Sequence, residues 1–251
     1  MERALERTTL CISMVKASLN KDTYTYLDVG CGDGTISKEI AEHLNATNWY
    51  MADVVNTVKE NSDKFILIDD PVQSFSVIPD KSIDVITCFV AIHHFEHFFA
   101  MFDQIARVLS DDGVIFIREH DAKDINIAIY LDIMHKLYPD DYPSYFRSKD
   151  KLRNLIYSYG LSIAGYHEYP EDANPQHLYH EVYKRTSRSV EHYNREADYI
   201  HITNNQIMKW IAKHLKETTK LAMKTGTQKS YGSVANSVKY AKSIRDIKNA
   251  L

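Results

Sequence analysis

No run of apolar residues in the 251-residue chain reaches the roughly 18–20 needed to cross a bilayer. Met1 to Leu10 alternates charged with apolar residues and lacks the apolar core of a secretory signal, so a cytoplasmic location and no membrane partner are expected. Cysteine is scarce and odd in number. Cys11, Cys31 and Cys88 lie too far apart for a disulfide framework or a zinc knuckle, and they suit a reducing compartment. Internal repeats and low-complexity tracts are also missing. What remains is ordinary globular material, 44% hydrophobic and 25% charged, enough for one large domain or a domain with an appendage.

Charge is spread unevenly. Residues 1–185 carry 18 basic and 29 acidic side chains, whereas 186–251 carry 12 and 5, so the net charge of −4 hides a body of −11 and a tail of +7. The change of sign marks an expected boundary. Such a tail can meet a polyanion such as RNA, or can present a solvated helical face that complements the acidic body.

From Thr23 to Arg185 short β-rich runs alternate with helical patterns, as in a parallel sheet with crossover helices. The expected strands are 24–29, 49–54, 64–68, 83–90 and 114–118, followed by a closing antiparallel pair at 161–168 and 178–184. The run 83–90 is almost wholly apolar, as a strand covered on both faces should be. Helical spacing recurs at 35–44, 98–109, 125–137 (stopped by Pro139) and 149–159, the last ended by Gly160. Asp111-Asp112-Gly113 reads as the turn into the fifth strand. Ile207, Trp210, Ile211, His214 and Leu215 share a face beyond the boundary, and 234–251 is a weaker amphipathic stretch. The expected organisation is an N-terminal helix (1–22), an α/β domain (23–185) and a basic helical extension (186–251).

The strongest motif is Leu27-Asp28-Val29-Gly30-Cys31-Gly32-Asp33-Gly34, which ends a strand and opens a helix. Glycines there let the backbone turn tightly and meet a ligand without a Cβ in the way. Asp53, closing the second strand, is placed to accept hydrogen bonds from ribose hydroxyls. A dinucleotide would set its pyrophosphate on the helix N-terminus. Asp28 and Asp33 would repel a diphosphate and suit a ligand bearing ammonium and sulfonium charges.

Over roughly residues 23–185 the chain resembles the class I S-adenosylmethionine-dependent methyltransferases. The resemblance implies a Rossmann-like fold: a seven-stranded, mainly parallel sheet with helices on both faces, here with a C-terminal helical extension. It implies S-adenosyl-L-methionine as cofactor, held by Asp28, Gly30, Cys31, Gly32 and Asp53, with Asp69 or Asp70 near the adenine and Phe89 at the end of the fourth strand. Ala91-Ile92-His93-His94-Phe95 looks like the family's segment beside the transfer site. Leu109 to Ile115 matches the helix–turn–strand that follows.

Methyl transfer to a hydroxyl needs a base, whereas a carbon or amine acceptor needs little beyond alignment. His93 or His94 could be that base; alternatively one packs beneath the cofactor and the other caps a helix. Glu119, His120 and Asp121 follow the fifth strand at the edge where ligands bind in open α/β sheets. Glu119 and His120 are therefore candidate acceptor contacts, or part of a network with Asp132 and His135. His120, His135 and Asp121 could also hold a metal, but the spacing gives that no direct support, and none is expected. Tyr130, Tyr138, Tyr142, Tyr145 and Phe146, with Arg147 and Lys149, could stack on a base and pair with phosphate, or build a lid. Tyr145 and Arg147 are the acceptor-binding candidates among them.

Residues 88–96 are loosely similar to the matching segment of guanine N-7 cap methyltransferases, and with the basic tail they lean toward RNA or an RNA cap as acceptor. A fourth strand ending in Cys88-Phe89 lacks the aspartate of the lysine-aspartate-lysine-glutamate ribose enzymes. The alternatives are a small-molecule methyltransferase and a catalytically silent scaffold that keeps the fold for a partner.

Overall fold

The computed structural model describes residues 2–58, 60–135, 142–170, 174, 176–186 and 199–225. Seven strands form one sheet: β1 (Tyr24–Val29), β2 (Ala46–Asp53), β3 (Phe65–Leu67), β4 (Ile83–Phe89), β5 (Leu109–His120), β6 (Leu161–Glu168) and β7 (Leu178–Arg185). Their spatial order is β3-β2-β1-β4-β5-β7-β6. The first five run parallel, and β7 pairs antiparallel with both β5 and β6. The chain starts in the middle, builds outward through β2 and β3, then crosses back to β4. The order therefore reverses between β1 and β4, the place where open α/β sheets form a crevice beyond their carboxyl ends.

Strand alternation feeds two cores. On one face Tyr24 and Tyr26 of β1, Val85 of β4, Val114 and Phe116 of β5 and Val182 of β7 pack under α1 (Glu2–Ser18) and α2 (Thr35–His43), through Cys11, Val15, Ile40 and Ala41. On the other, Leu27, Val29, Ile86, Cys88, Ile115 and Ile117 pack under α3 (Phe98–Val108) and α5 (Lys149–Tyr157), through Phe98, Phe102, Ile105, Leu152 and Ile156. A period of two within each strand sends neighbours to opposite faces. The central strands, covered on both sides, are accordingly apolar in their middle stretches, such as Val114 to Ile117 of β5, with polar residues such as Asp28 and Glu119 buried toward their carboxyl ends. Two further helices, α4 (Ile125–His135) and α6 (Asn204–Thr225), pack together through Ile129, Ile133, Ile207 and Ile211.

The expected fold class holds, with differences at the edges. β2 begins at Ala46 rather than Trp49, because pairing with β1 continues to Tyr24 through an irregularity in register. Asp111-Asp112-Gly113 is no isolated turn. β5 runs from Leu109, and residues 110–113 bulge out between two pairings with β4, Ile83 to Leu109 and Val85 to Val114. α5 ends at Tyr157, two residues early, and Gly160 follows at φ +70°. α4 is described as far as His135; its expected last turn and the stop at Pro139 lie outside the described residues, as do Tyr138, residues 187–198 and the amphipathic stretch 234–251. Among the described residues no helix is long and apolar enough to span a membrane.

Candidate functional site

The carboxyl ends of β1, β2 and β4 open onto a cleft of about 450 Å³. Its floor is the glycine loop. Gly30, Gly32 and Gly34 all have positive φ (80°, 55° and 78°). The first two face different surroundings. A Cβ on Gly30 would lie 2.4 Å from Ala91 Cβ, so that glycine lets the β1 and β4 loops touch. A Cβ on Gly32 would meet nothing within 4 Å, and Gly32 lines the cleft. Gly30 keeps the loop closed against its neighbour; Gly32 keeps the cleft open.

Asp53 ends β2 at the cleft wall. One carboxylate oxygen accepts the Gly32 N–H at 2.8 Å and the other accepts its neighbour Val54 N–H at 2.7 Å. The acid therefore fixes the glycine loop while remaining at the cleft surface. Asp69 and Asp70 separate clearly. Asp69 is exposed and lines the cleft. Asp70 makes a turn, its side chain accepting Val72 N–H at 2.9 Å and its carbonyl accepting Gln73 N–H and the Ser74 hydroxyl.

The side chains of three residues expected at the cofactor lie outside the cleft lining. Asp28 is 2% exposed, and its two oxygens accept hydroxyls from Ser37 at 2.5 Å and Thr87 at 2.6 Å. It pins the start of α2 to the central strands from beneath the loop. Burial, opposed by those two hydrogen bonds, pushes its pKa up to about 6. Cys31 is buried, with its thiol toward the Gly32 carbonyl, and burial beside Asp28 pushes its pKa well up. Phe89 turns to the opposite face, its ring 5.3 Å from that of Phe116. All three missed the cleft for one reason: a side chain on a short strand or tight loop points to one side, and sequence position alone does not say which.

The adjacent histidines part company in the same way. His94 lines the cleft, and its Nδ1 lies 3.0 Å from the Pro143 carbonyl. A carbonyl only accepts, so Nδ1 carries the proton and Nε2 keeps the lone pair. His93 is 3% exposed and lies outside the cleft lining. Its Nδ1 donates to Glu119 at 2.7 Å, its backbone N–H reaches the other oxygen of that carboxylate at 3.2 Å, and its ring stacks on Phe146. Glu119 and His120 are likewise buried, at 3% and 6%, and lie outside the cleft lining. Glu119 also accepts the His120 N–H. His135 completes this inner group, with ring centroids 4.7 Å from His93 and 5.5 Å from His120. Burial pushes His93, His120 and His135 each down to about 4, so all three are neutral at pH 7. Burial would raise Glu119, but hydrogen bonding and charge from His93 and His120 outweigh it and hold the acid below its usual range. Asp121 points away and accepts the Lys149 N–H at the start of α5.

Tyr145 does line the cleft, and its N–H donates to the His93 carbonyl at 2.6 Å, tying the 142–148 segment to the β4 loop. Arg147 is 5% exposed. Its guanidinium donates to the Tyr145 carbonyl and lies 5.0 Å from the Phe98 ring centroid, so it braces that segment instead of reaching for phosphate. The sequence reading missed Glu96, His97, Met101 and Pro143, which complete the rim. It also missed Val90, a cleft residue at φ +55° whose N–H is held at 2.6 Å by the Arg118 carbonyl. A β-branched residue in that region is strained, and such strain gathers at functional sites.

The charge lining decides what fits. Asp53, Asp69 and Glu96 border the cleft, and its described lining contains neither lysine nor arginine. A diphosphate would find no counter-charge there, whereas an adenosyl ligand bearing ammonium and sulfonium groups would.

The chain matches the family model described as "Methyltransferase domain" over residues 3–166. It belongs to that family. The family's methyl donor is S-adenosylmethionine, and the glycine loop, Asp53 and the acidic cleft fit it. Among curated proteins the chain is 25% identical over 117 residues to a Bacillus subtilis (strain 168) methyltransferase named YcgJ, described as uncharacterized. That match covers 44% of this chain and about half (46%) of the relative. The solved structure of YcgJ superposes with a TM-score of 0.54 at 16% identity, covering 74% of this chain and all of that one. A methyltransferase from Mesorhizobium loti gives 0.54 at 15% identity, covering 69% and 96%. Magnesium protoporphyrin IX methyltransferase from Synechocystis PCC 6803, solved with bound SAH, gives 0.52 at 17% identity, covering 72% and 83%. At these identities the likeness is one of fold.

Proposed function

We propose that the chain transfers a methyl group from S-adenosylmethionine to a small, uncharged or cationic acceptor held in the cleft between the β1, β2 and β4 loops and the 142–145 segment. The observation that carries this is the cleft lining. Carboxylates sit on the donor side, Phe95, Met101, Tyr142 and Tyr145 supply apolar and aromatic surface, and the described lining holds neither lysine nor arginine. Gly32 and Asp53 hold the donor, Asp53 through its ribose, with Asp69 beside the adenosyl end. When bound, the donor supplies an electrophilic methyl on a sulfonium. The chain's own work is to align the acceptor, exclude water and accept a proton where the acceptor is a hydroxyl. His94 is the base for that last task, because its Nδ1 contact with Pro143 leaves Nε2 to take the proton.

The charge of residues 186–251 favours a second reading, RNA as acceptor. Lys209 and Lys213 stand exposed on α6, and the tail carries a balance of +7. The experiment is a turnover screen with labelled donor against a metabolite pool, uncapped RNA and capped RNA, using the full chain and a chain lacking 186–251. Turnover of a small molecule by both chains supports the cleft reading. Turnover of RNA alone, with a salt-sensitive affinity lost on deletion, would replace it with the second.

A further inference from the structure

His93, His120 and His135 come from three separate elements, the turn after β4, the end of β5 and the end of α4, and they converge without a ligand role in the cleft. One nitrogen from each lies within 4.8 Å of the other two. The rings meet edge to face, His93 with His135 at 78° and His120 with His135 at 83°. Three imidazoles buried together would ordinarily share hydrogen bonds, yet His93 Nε2 is buried with no partner. Buried polar atoms are rarely left so.

The outer contacts explain the geometry. The His93 Nδ1–H donates to the Glu119 carboxylate at 2.7 Å, and the His120 Nδ1 faces the Gln176 carbonyl at 2.7 Å. Each bond fixes the tautomer, leaves Nε2 with the lone pair and orients the ring. A carboxylate behind one histidine and a backbone carbonyl behind another are the usual outer partners of metal-bound imidazoles. Glu119 is itself held, by the His93 and His120 N–H groups, so the support is rigid.

We propose that His93, His120 and His135 form a binding site for one divalent transition-metal ion of the zinc class. Imidazole nitrogen selects that class over magnesium or calcium, which take oxygen. Three protein ligands leave one position open. His94 adjoins the site, its ring centroid 4.1 Å from that of His93 and 5.5 Å from that of His135, so the ion sits one imidazole behind the cleft. It would lock α4 and β5 to the β4 loop, the elements that back the acceptor side. The site stands apart from the methyl-transfer reading, since neither its ligands nor its test involves the donor.

The test is metal binding by the full chain. After chelation and dialysis, Co²⁺ is titrated while its visible absorption is followed, and Zn²⁺ is then added in competition. The expected result is one equivalent bound with the strong bands of a tetrahedral site, displaced by Zn²⁺, and a Zn²⁺-dependent rise in Tm. Removing a ligand with His135→Ala, at a half-buried position, abolishes both signals. His120→Ala does the same, and Glu119→Gln weakens binding by about 10–100-fold. His43→Ala, on the exposed face of α2, changes nothing. Near-ultraviolet circular dichroism confirms that each variant is folded. Stoichiometry and bands unchanged in folded His135→Ala, or no ion retained by the wild type, would overturn the proposal.

Discussion

Two glycines two residues apart separate what holds the fold from what opens the site. Both Gly30→Ala and Gly32→Ala place an L side chain in left-handed backbone, at φ +80° and +55°, which costs about 1–2 kcal/mol. Restricting the unfolded chain returns about 0.4–1 kcal/mol of that. At Gly32 nothing more is added, because the new Cβ has no neighbour within 4 Å, so the net loss is about 1 kcal/mol. At Gly30 the Cβ would stand 2.4 Å from Ala91 Cβ, a contact no rotamer relieves, and the two loops must move apart. Overpacking of that kind adds about 1–3 kcal/mol, for a total of about 2–4 kcal/mol. Ligand binding reverses the ranking of interest: Gly32→Ala, nearly as stable as wild type, puts a methyl where the donor lies and weakens S-adenosylhomocysteine binding by roughly 10–100-fold. Urea unfolding reports the stabilities as shifts in midpoint at constant m, and calorimetric titration reports the affinities. If Gly32→Ala bound the ligand as tightly as wild type, the donor would not lie over Gly32. If Gly30→Ala were no less stable than Gly32→Ala, the tight loop contact would be wrong.

Further predictions follow the same residues. Asp53→Asn removes a charged acceptor, a contact worth about 1.5–3 kcal/mol, and weakens binding of S-adenosylhomocysteine roughly 10–100-fold by titration while the circular dichroism spectrum is unchanged. Burial and the nearby Arg118 charge push buried His180 down to about 3. The unfolded chain thus binds its proton first, and stability is lost as pH falls below the ordinary histidine range. His180→Phe, similar in size, removes that loss and gains about 2 kcal/mol relative to wild type at pH 5 over its effect at pH 8, read from urea midpoints. Asp28 has the opposite sign. Its pKa is raised to about 6, so the wild type loses stability relative to Asp28→Asn as pH rises from about 4 to 7. The loss totals about 3 kcal/mol, and a flat difference curve would mean that Asp28 is not buried as described. His94→Gln lowers kcat for a hydroxyl acceptor by about 10²–10⁴-fold with donor affinity unchanged, and it leaves an amine acceptor nearly unaffected.

The fold was legible because its signals are local and periodic. The apolar run at 83–90, the loop at 27–34 and the helical spacing of 98–109 each constrain one element, and together they imply the sheet. Edges were less legible: Asp111 to Gly113 looks like a turn, and only pairing with β4 shows it as a bulge within β5. In the site, Gly30, Gly32 and Asp53 line the cleft as expected from their segments, because a glycine turn after a strand and the end of the neighbouring strand meet at the same sheet edge. Side-chain direction was not readable. Asp28, Cys31 and Phe89 belong to the right segments but point elsewhere, and Asp69 faces the cleft where Asp70 does not. Of the two adjacent histidines, one borders the cleft and the other is buried, a split that a 3-10 turn at Ile92–His94 creates and no pattern announces. The convergence of His93, His120 and His135 depends on three elements far apart in sequence, and spacing carries no trace of it.

The most direct test of the donor site is a crystal of the protein grown with S-adenosylhomocysteine. The ligand should lie in the cleft with its ribose on Asp53, its chain passing Gly32 and its adenine beside Asp69. Density outside that cleft, or a protein that binds no such ligand in solution at any accessible concentration, would contradict the account.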